Sequence, residues 1–366
     1  MNPIKEMEAE KTSSVFEEIE AMGHEQLVFC HDQATGLKAI VGIHNTTLGP
    51  ALGGTRLWNY ASEAEAVTDV LRLSRGMTFK AAISGLNLGG GKAVIIGQPS
   101  QKTEPYMRRF GRFIDSLGGR YITAEDVNIK TRDIEYVAME TTHVTGKPDF
   151  LGGGGDPSPV TAYGTYTGMK AAAKKAWGSD SLQGKQVLVQ GVGQVGMYLV
   201  DHLTKEGAKV LIADIDEQKL KMVSERSGAT VVSNDGLYDL DMDIYAPCAL
   251  GATLNDDTIS RLKCSILAGA ANNQLKEEQK HGRMLQEQGI IYAPDFLINA
   301  GGLINVYLEH LGEYNRDRAY SMADKIYDTC TNILNKSEQD KITSHEAALE
   351  IALKRIDDMG RVKLPY

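Results

Sequence analysis

The stretch from Lys185 to Asp214, KQVLVQGVGQVGMYLVDHLTKEGAKVLIAD, constrains this 366-residue chain more than any other. An apolar run, Val187-Leu188-Val189, enters a turn with glycines at 191, 193 and 196. A segment of helical character follows, and a second apolar run, Val210 to Ala213, ends in Asp214. The order predicts strand, tight turn, helix and parallel strand. Each glycine has its own reason: Gly191 makes the turn, Gly193 lets phosphates approach the backbone, and Gly196 lets helix and strand pack closely. The helix start, with Gln194 and Val195, offers amides and a partial positive charge to a pyrophosphate. Asp214 stands about 20 residues on, where a carboxylate accepts from a ribose 2′-hydroxyl and repels a 2′-phosphate. Ile215, Asp216 and Glu217 bring no cation, so the expected cofactor is NAD rather than NADP.

Around this unit the chain reads as α/β. At this length two domains are expected. The first half alternates apolar runs with helical segments and contains no dinucleotide turn. "EQLVFCHDQATGLKAIVGIHNTT" reads as a hairpin turning at Gln33–Gly36. "LGPALGGTRLWNY" is too glycine-rich for a regular element. "SEAEAVTDVLRLSRGMTFKAA" opens with a capping box, Ser62 and Glu65, and repeats apolar residues at helical spacing as far as Met77. "KAVIIG" and "RYITAEDV" read as strands, with an amphipathic helix between them. "GKPDFLGGGGDPSPVT", dense in glycine and proline, marks the crossing to the second domain. Strand-like runs end in "APCAL", "AGAANNQL" and "APDFLINAGG", and helices fill the chain from about Asn315.

The formal charge of −9 argues against a nucleic-acid partner, which needs a basic face. No run is long and apolar enough to cross a bilayer, and the N-terminus lacks a signal-peptide core. Four scattered cysteines without a C-x-x-C pair fit a reducing cytoplasm. The histidines show no ligand spacing, so no metal is expected.

"GLNLGGGK", ending in Lys92, resembles a phosphate cradle, but Leu86 stands where a P-loop needs its first glycine and Ala93 where it needs a hydroxyl. Lys92, Lys80 in "RGMTFK" and Asp126 in "TAED" are instead candidates for reaction chemistry.

The motifs "TTLGPALGGTR", "RGMTFK", "GLNLGGGKAVIIG", "RYITAEDV", "DPSPVTAYG", "GVGQVG", "APCALG", "ANNQL" and "APDFLINAGGLINV" together resemble the amino-acid dehydrogenases that act on glutamate, leucine, phenylalanine or valine. The likeness runs from about Glu25 to Glu350 and is strongest to the leucine enzymes, then to the phenylalanine enzymes. It implies an N-terminal α/β substrate domain with a mostly parallel sheet, residues 1–148, rejoined by a C-terminal helix, 335–366. A Rossmann domain, 149–334, would follow, with a cleft between the two. It implies that Lys80 holds the substrate carboxylate, Lys92 is the catalytic lysine and Asp126 transfers protons. It further implies that Ser158 and Thr161 lie near the nicotinamide and that Asn273, in preference to Asn272, lies in the cleft. Leu52, Gly53, Ala124, Leu303 and Val306 are implied to line a side-chain pocket. The implied reaction is reversible, NAD-dependent oxidative deamination of L-leucine, valine or isoleucine to the 2-oxo acid and ammonia. A homo-oligomer is implied, with octamers common among the leucine enzymes. Three positions depart from the family pattern: Gln98 before Pro99, Asn128 where glycine is usual, and Tyr307-Leu308 ahead of Glu309.

On this reading the glycines give Lys92 access to a closed site. Desolvation and the neighbouring Lys80 favour the neutral amine that activates water. Two other readings compete: a hydroxy-acid oxidoreductase, for which no histidine stands in a suitable motif, and an NAD-responsive binding module, which would be expected to lose Lys80, Lys92 or Asp126.

Overall fold

The computed structural model describes residues 14–312 and 314–362. The N-terminal arm up to residue 13 lies outside the described residues. The chain separates into two units, Met1–Thr78 with Gly89–Val144, and Phe79–Leu88 with Thr145–Tyr366.

The first unit contains α1 (Val15–Met22), β1 (Gln26–Asp32), β2 (Leu37–Asn45), β3 (Ala51–Trp58), most of α2 (Glu63–Ile83), β4 (Gly89–Ile96), α3 (Glu104–Asp115), β5 (Tyr121–Ala124) and α4 (Thr131–Ala138). Its sheet has the order β1-β2-β4-β3-β5. Strands β3, β4 and β5 pair in parallel, and β2 is antiparallel to both β1 and β4, so β2 alone runs against the rest. The period of two divides β2 between two cores. Ala39, Val41 and Ile43 join the α3/α4 side with Tyr106, Phe110 and Val137, while Ile40 joins Val67, Val70 and Leu71 of α2. Each such buried Val, Ile or Leu side chain contributes roughly 1.5–3 kcal/mol relative to exposure. Ser62 caps α2 as expected, accepting from the Glu65 amide at 3.1 Å, while Glu65 accepts from the Ala61 amide at 2.7 Å.

Strand β3 corrects the reading of its glycines as irregular. They suit a strand because neighbours come too close for any side chain. A Cβ on Gly53 would lie 1.8 Å from the Gly91 carbonyl oxygen, and one on Gly54 would lie 2.2 Å from that of Glu125. The glycines of β4 likewise belong to the strand and not to a loop.

The second unit begins with the long helix α5 (Ser158–Trp177), then β6 (Gln186–Gln190), α6 (Gln194–Glu206), β7 (Lys209–Ala213), α7 (Glu217–Ser227), β8 (Thr230–Val231) and β9 (Ile244–Pro247). It continues with α8 (Asp256–Arg261), β10 (Ile266–Leu267), α9 (Glu278–Glu287), β11 (Ile291–Tyr292), α10 (Asp295–Ile298), α11 (Gly301–His310), α12 (Arg316–Asp340) and α13 (Ser344–Val362). Its sheet is parallel throughout, in the order β11-β10-β9-β6-β7-β8. Counted from β6 this is 6-5-4-1-2-3, the doubly wound Rossmann order, in which ligands bind beyond the carboxyl ends of the strands where the order reverses. The last helix, α13, groups with this unit and brings residues 79–88 with it. Arg355 of α13 donates to the Ala82 carbonyl in the last turn of α2 at 3.3 Å and to the carbonyls of Leu86 at 2.7 Å and Gly85 at 3.1 Å just beyond it. Among the described residues no helix is long and apolar enough to cross a membrane.

Candidate active site

Strand β4 alternates its glycines between two crowded faces. A Cβ on Gly91 would meet the Tyr121 ring at 2.6 Å, and one on Gly90 would meet the Thr78 amide nitrogen at 2.1 Å. Lys92 shares the Gly90 face, and its residue is only 6% exposed. The glycine run therefore lets sheet and α2 approach each other with the lysine held between them, and it leaves no open cradle for phosphate.

The Lys92 ammonium lies 2.8 Å from Asp126 Oδ2. Asp126 follows β5, and a Cβ on Gly54, whose partner across the sheet is Ala124, would lie 2.9 Å from the Asp126 Cβ, so the glycine makes room for this side chain. Burial pushes the Asp126 carboxyl upward. The charge and hydrogen bond of Lys92, and behind them the charge of Arg56, outweigh burial and hold it below the ordinary carboxylate range. Asp126 is thus an ionised acceptor in contact with the one buried lysine of this unit's sheet. The charged group in contact with the Lys92 ammonium is thus the Asp126 carboxylate. Arg56, which sequence analysis did not single out, donates from Nε to the same Oδ2 at 3.3 Å and from Nη1 to Asp69 at 3.0 Å.

Next to this pair, Leu52, Gly53 and Ala124 lie on adjoining strands, with Leu52 opposite Ile122 and Gly53 opposite Thr123. Leu52 and Ala124 are buried. The Tyr121 hydroxyl donates to the Gly53 carbonyl at 2.6 Å and fixes this corner of the sheet.

In the second unit, β6 ends in the glycine turn. Gly191 has φ +100°, open to glycine at little cost, and its amide donates to the Ala213 carbonyl at 2.7 Å. A Cβ on Gly196 would lie 2.0 Å from the Gly191 oxygen, whereas one on Gly193 would meet nothing within 4 Å. The turn is therefore tight inside and open outside, beside the first amides of α6 on Gln194 and Val195. Asp214, at the tip of β7, accepts from the Val192 amide at 2.7 Å and the Asp216 amide at 3.0 Å. Its carboxylate braces the turn and keeps lone pairs for a ribose hydroxyl. An open cradle, a helix N-terminus and a carboxylate at the next strand together fit a dinucleotide.

Comparison with known proteins agrees with both halves of this picture. Residues 24–143 match the model of the Glu/Leu/Phe/Val dehydrogenase dimerisation domain, and residues 152–217 and 211–363 match that of glutamate/leucine/phenylalanine/valine dehydrogenase. The chain belongs to the Glu/Leu/Phe/Val dehydrogenase family. It is 55% identical over 353 residues to leucine dehydrogenase of Thermoactinomyces intermedius, covering 96% of each chain. It is 48% identical to valine dehydrogenase of Streptomyces coelicolor, covering 91% of this chain and 92% of that one. The crystal structure of L-tryptophan dehydrogenase from Nostoc punctiforme superposes with a TM-score of 0.85 at 46% identity, covering 94% of this chain and 99% of the other. The protein is accordingly an amino-acid dehydrogenase with the family's two-domain α/β fold, and its cofactor class is a nicotinamide dinucleotide.

For a member of this family the remaining site candidates fall as follows. Lys80, near the end of α2, donates to Asn272 Oδ1 at 3.4 Å, and Asn272 also accepts from Asn299 at 2.9 Å. Asn273, preferred on sequence, is exposed at φ +52°, and its carbonyl accepts from the Ala252 amide at 2.7 Å. Asn272 is the one whose side chain meets Lys80. Ser158 opens α5 with its amide bound to Asp156 at 2.9 Å, and Thr161 turns its hydroxyl to the Pro157 carbonyl at 3.0 Å. A Cβ on Gly302 of α11 would lie 3.1 Å from that hydroxyl oxygen, so the Thr161 end of α5 touches the start of α11. Leu303 is buried on α11 and Val306 partly so.

The three departures have physical readings. Asn128 has φ +61°, a conformation glycine prefers and asparagine tolerates, and its Nδ2 donates to the Leu57 carbonyl at 3.0 Å. The Gln98 amide donates to Gln101 Oε1 at 2.7 Å, closing a short turn. Tyr307 is half-buried, and two residues on, Glu309 accepts from the amides of Gly146, Lys147 and Gly154 at 3.0, 3.2 and 3.1 Å.

Among the described residues, Asp256, Glu277 and His281 bring three potential metal ligands together. His281 Nδ1 accepts the Glu277 amide at 2.8 Å, which leaves the ring proton on Nε2, and Lys280 already sits 2.7 Å from Asp256. That geometry suits an ion-paired helix start rather than a metal.

Proposed function

We propose that the protein is an NAD-dependent dehydrogenase of branched-chain L-amino acids, with L-leucine as its main substrate and valine and isoleucine also accepted. The observation that carries this reading is the Lys92–Asp126 contact of 2.8 Å, a buried proton donor beside a partly exposed proton acceptor.

The bound nicotinamide supplies the acceptor for the hydride that leaves Cα. The chain's own residues handle charge and protons. Lys80 grips the substrate carboxylate. Asp126, held ionised, takes a proton from the substrate ammonium and so frees the nitrogen lone pair that stabilises the imine. In the form of the pair that has lost one proton, the neutral Lys92 amine orients and deprotonates the water that attacks the imine carbon, and the ammonium so formed then steadies the developing oxygen charge. Asp126 returns a proton to the departing ammonia, leaving the 2-oxo acid. Ser158 and Thr161 border the nicotinamide on this reading, Asn273 or Asn272 the substrate, and Asp214 selects NAD.

Leu52, Gly53, Ala124, Leu303 and Val306 offer small or apolar surface and no cation for a second substrate carboxylate, which disfavours glutamate. Discrimination among aliphatic side chains then rests on methylene contacts worth about 1–3 kcal/mol. A homo-oligomer in the cytoplasm completes the proposal, in keeping with the dimerisation-domain match over residues 24–143.

The test is formation of NADH when the purified protein meets NAD and, in turn, L-leucine, L-valine, L-isoleucine, L-phenylalanine, L-tryptophan, L-glutamate and L-lactate. The largest kcat/KM is expected for leucine. Preference for phenylalanine or tryptophan would reassign the pocket, reaction with lactate alone would point to hydroxy acids, and no reaction at all would favour a binding module.

A further inference from the structure

Arg56 is the feature of the first unit that the proposed chemistry leaves unexplained. Its guanidinium lies between two carboxylates: Nε donates to Asp126 Oδ2 at 3.3 Å, and Nη1 donates to both Asp69 oxygens, at 3.3 and 3.0 Å. Asp69 is fixed in turn by the Tyr60 hydroxyl, which donates to it at 2.6 Å. These groups come from three places, β3 (Arg56), the chain just after it (Tyr60) and α2 (Asp69), and they converge behind the Asp126 oxygen that faces Lys92. An arginine tied only to a surface carboxylate would be a solvated ion pair of little worth. Here its side chain is about a quarter exposed, and it shares an acceptor atom with a buried lysine.

We propose that Arg56, clamped by Asp69 and Tyr60, is a positioning residue that orients the Asp126 carboxylate toward Lys92 and sets how tightly the Lys92–Asp126 pair holds its proton. The inference rests on the reading of Asp126 as the group that exchanges protons with substrate nitrogen. The physical argument has two parts. Rotation of Asp126 about its χ angles is restrained because one oxygen accepts from two cationic donors on different strands, β3 and β4. The pair also sits in the field of the charged and titratable groups around it. From β3 comes the Arg56 cation, from α2 the Asp69 anion that partly cancels it, and nearby lie the Tyr60 and Tyr121 phenols, both pushed upward by burial first and therefore neutral. Arg56 also lines a surface hollow of about 560 Å³ with Trp58, Tyr60, Asp69, Arg72 and Val127, so water reaches its outer side and moderates its field.

The signs follow from Coulomb's law. Removing the Arg56 charge makes proton loss from the pair harder. Removing the Asp69 charge leaves Arg56 uncompensated and makes it easier. Arg56→Gln should therefore move the acid limb of the kcat/KM profile for L-leucine up by about one pH unit, and Asp69→Asn should move it down by a smaller amount. Arg56→Lys should keep the limb near its wild-type position while lowering kcat, because an ammonium preserves the charge but not the planar two-carboxylate fork. A purely structural role predicts losses without opposed shifts. The experiment is the pH profile of all three variants and of Asp126→Asn, each checked for native circular dichroism. Opposed shifts for Arg56→Gln and Asp69→Asn, with Asp126→Asn severely impaired, support the proposal. Unmoved or same-direction limbs, with Asp126→Asn impaired, overturn it while leaving the reaction assignment standing. Full activity of Asp126→Asn overturns the underlying reading of the site. If Arg56→Gln fails to fold, the Asp69→Asn and Arg56→Lys profiles still decide: a downward shift in the first with none in the second supports the proposal, and any other pattern overturns it.

Discussion

Replacing Gly90 by alanine tests what the glycine run before Lys92 is for. The new Cβ would stand 2.1 Å from both the amide nitrogen and the hydroxyl oxygen of Thr78 and 2.6 Å from the Ser74 carbonyl oxygen, where real side chains keep at least 3.0 Å. Helix α2 must therefore retreat from β4 by nearly an ångström. That displacement reaches two buried hydrogen bonds, His44 Nδ1 with Thr78 Oγ1 and His24 Nε2 with Ser74 Oγ, each 2.8 Å long. Overpacking of this kind costs about 1–3 kcal/mol, and weakening each of the two buried hydrogen bonds costs about 1 kcal/mol more, so a total of about 3–5 kcal/mol is expected. Urea unfolding at pH 7 measures it. The matched control is Gly193→Ala, whose Cβ enters open space at φ −65° and should leave stability within about 0.5 kcal/mol of wild type while weakening NADH binding. The reasoning is refuted if Gly90→Ala keeps its stability and loses NADH affinity instead, since that is the signature of a phosphate cradle at residues 89–92.

Two further outcomes follow from the site and its supports. Asp214→Ala removes the brace on the glycine turn together with the proposed ribose acceptor, and should weaken NADH binding roughly 10–100-fold while narrowing the preference over NADPH; an unchanged NADH/NADPH ratio in fluorescence titrations would contradict this. His24 and His44 are pushed down to about 4, by burial first, from an ordinary value of 6.5. Their neutral forms stabilise the fold above pH 6.5, and that stability drains away as pH falls from 6.5 toward 4, on the order of 2 kcal/mol per ring by pH 5. A urea midpoint that does not move between pH 7 and pH 5 would show that the pair is not held neutral.

The parts of this protein that are local in sequence were the parts legible there. The dinucleotide turn could be read residue by residue because strand, turn, helix and carboxylate are all contained between Lys185 and Asp214, and each glycine's role depends on neighbours a few positions away. The pair Lys92 and Asp126 was also in view, but not that they touch, since they stand 34 positions apart with a helix between them and the sheet order decides the matter. Strand β3 was lost for a specific reason. Glycine lowers strand propensity, and the two at 53 and 54 hid an element whose glycines are demanded by the carbonyls of Gly91 and Glu125. That omission concealed Arg56 too. Once residues 51–58 are a strand, its period of two puts Gly54 and Arg56 on one face, and Gly54 is where Asp126 packs. Asn273 holds a left-handed conformation that no composition signal marks, and the side chain that meets Lys80 is that of Asn272. Residues 79–88 group with the C-terminal helix through the Arg355 guanidinium and the carbonyls it binds, a contact some 270 positions apart in the chain.

The central claim is that Lys92 moves protons on the substrate and takes no part in holding the dinucleotide. Measuring kcat and the NADH dissociation constant of Lys92→Ala, in a protein with native circular dichroism, tests it most directly. Turnover should fall roughly 100- to 10,000-fold with NADH affinity little changed. Near-normal turnover, or a loss confined to NADH affinity, would contradict it.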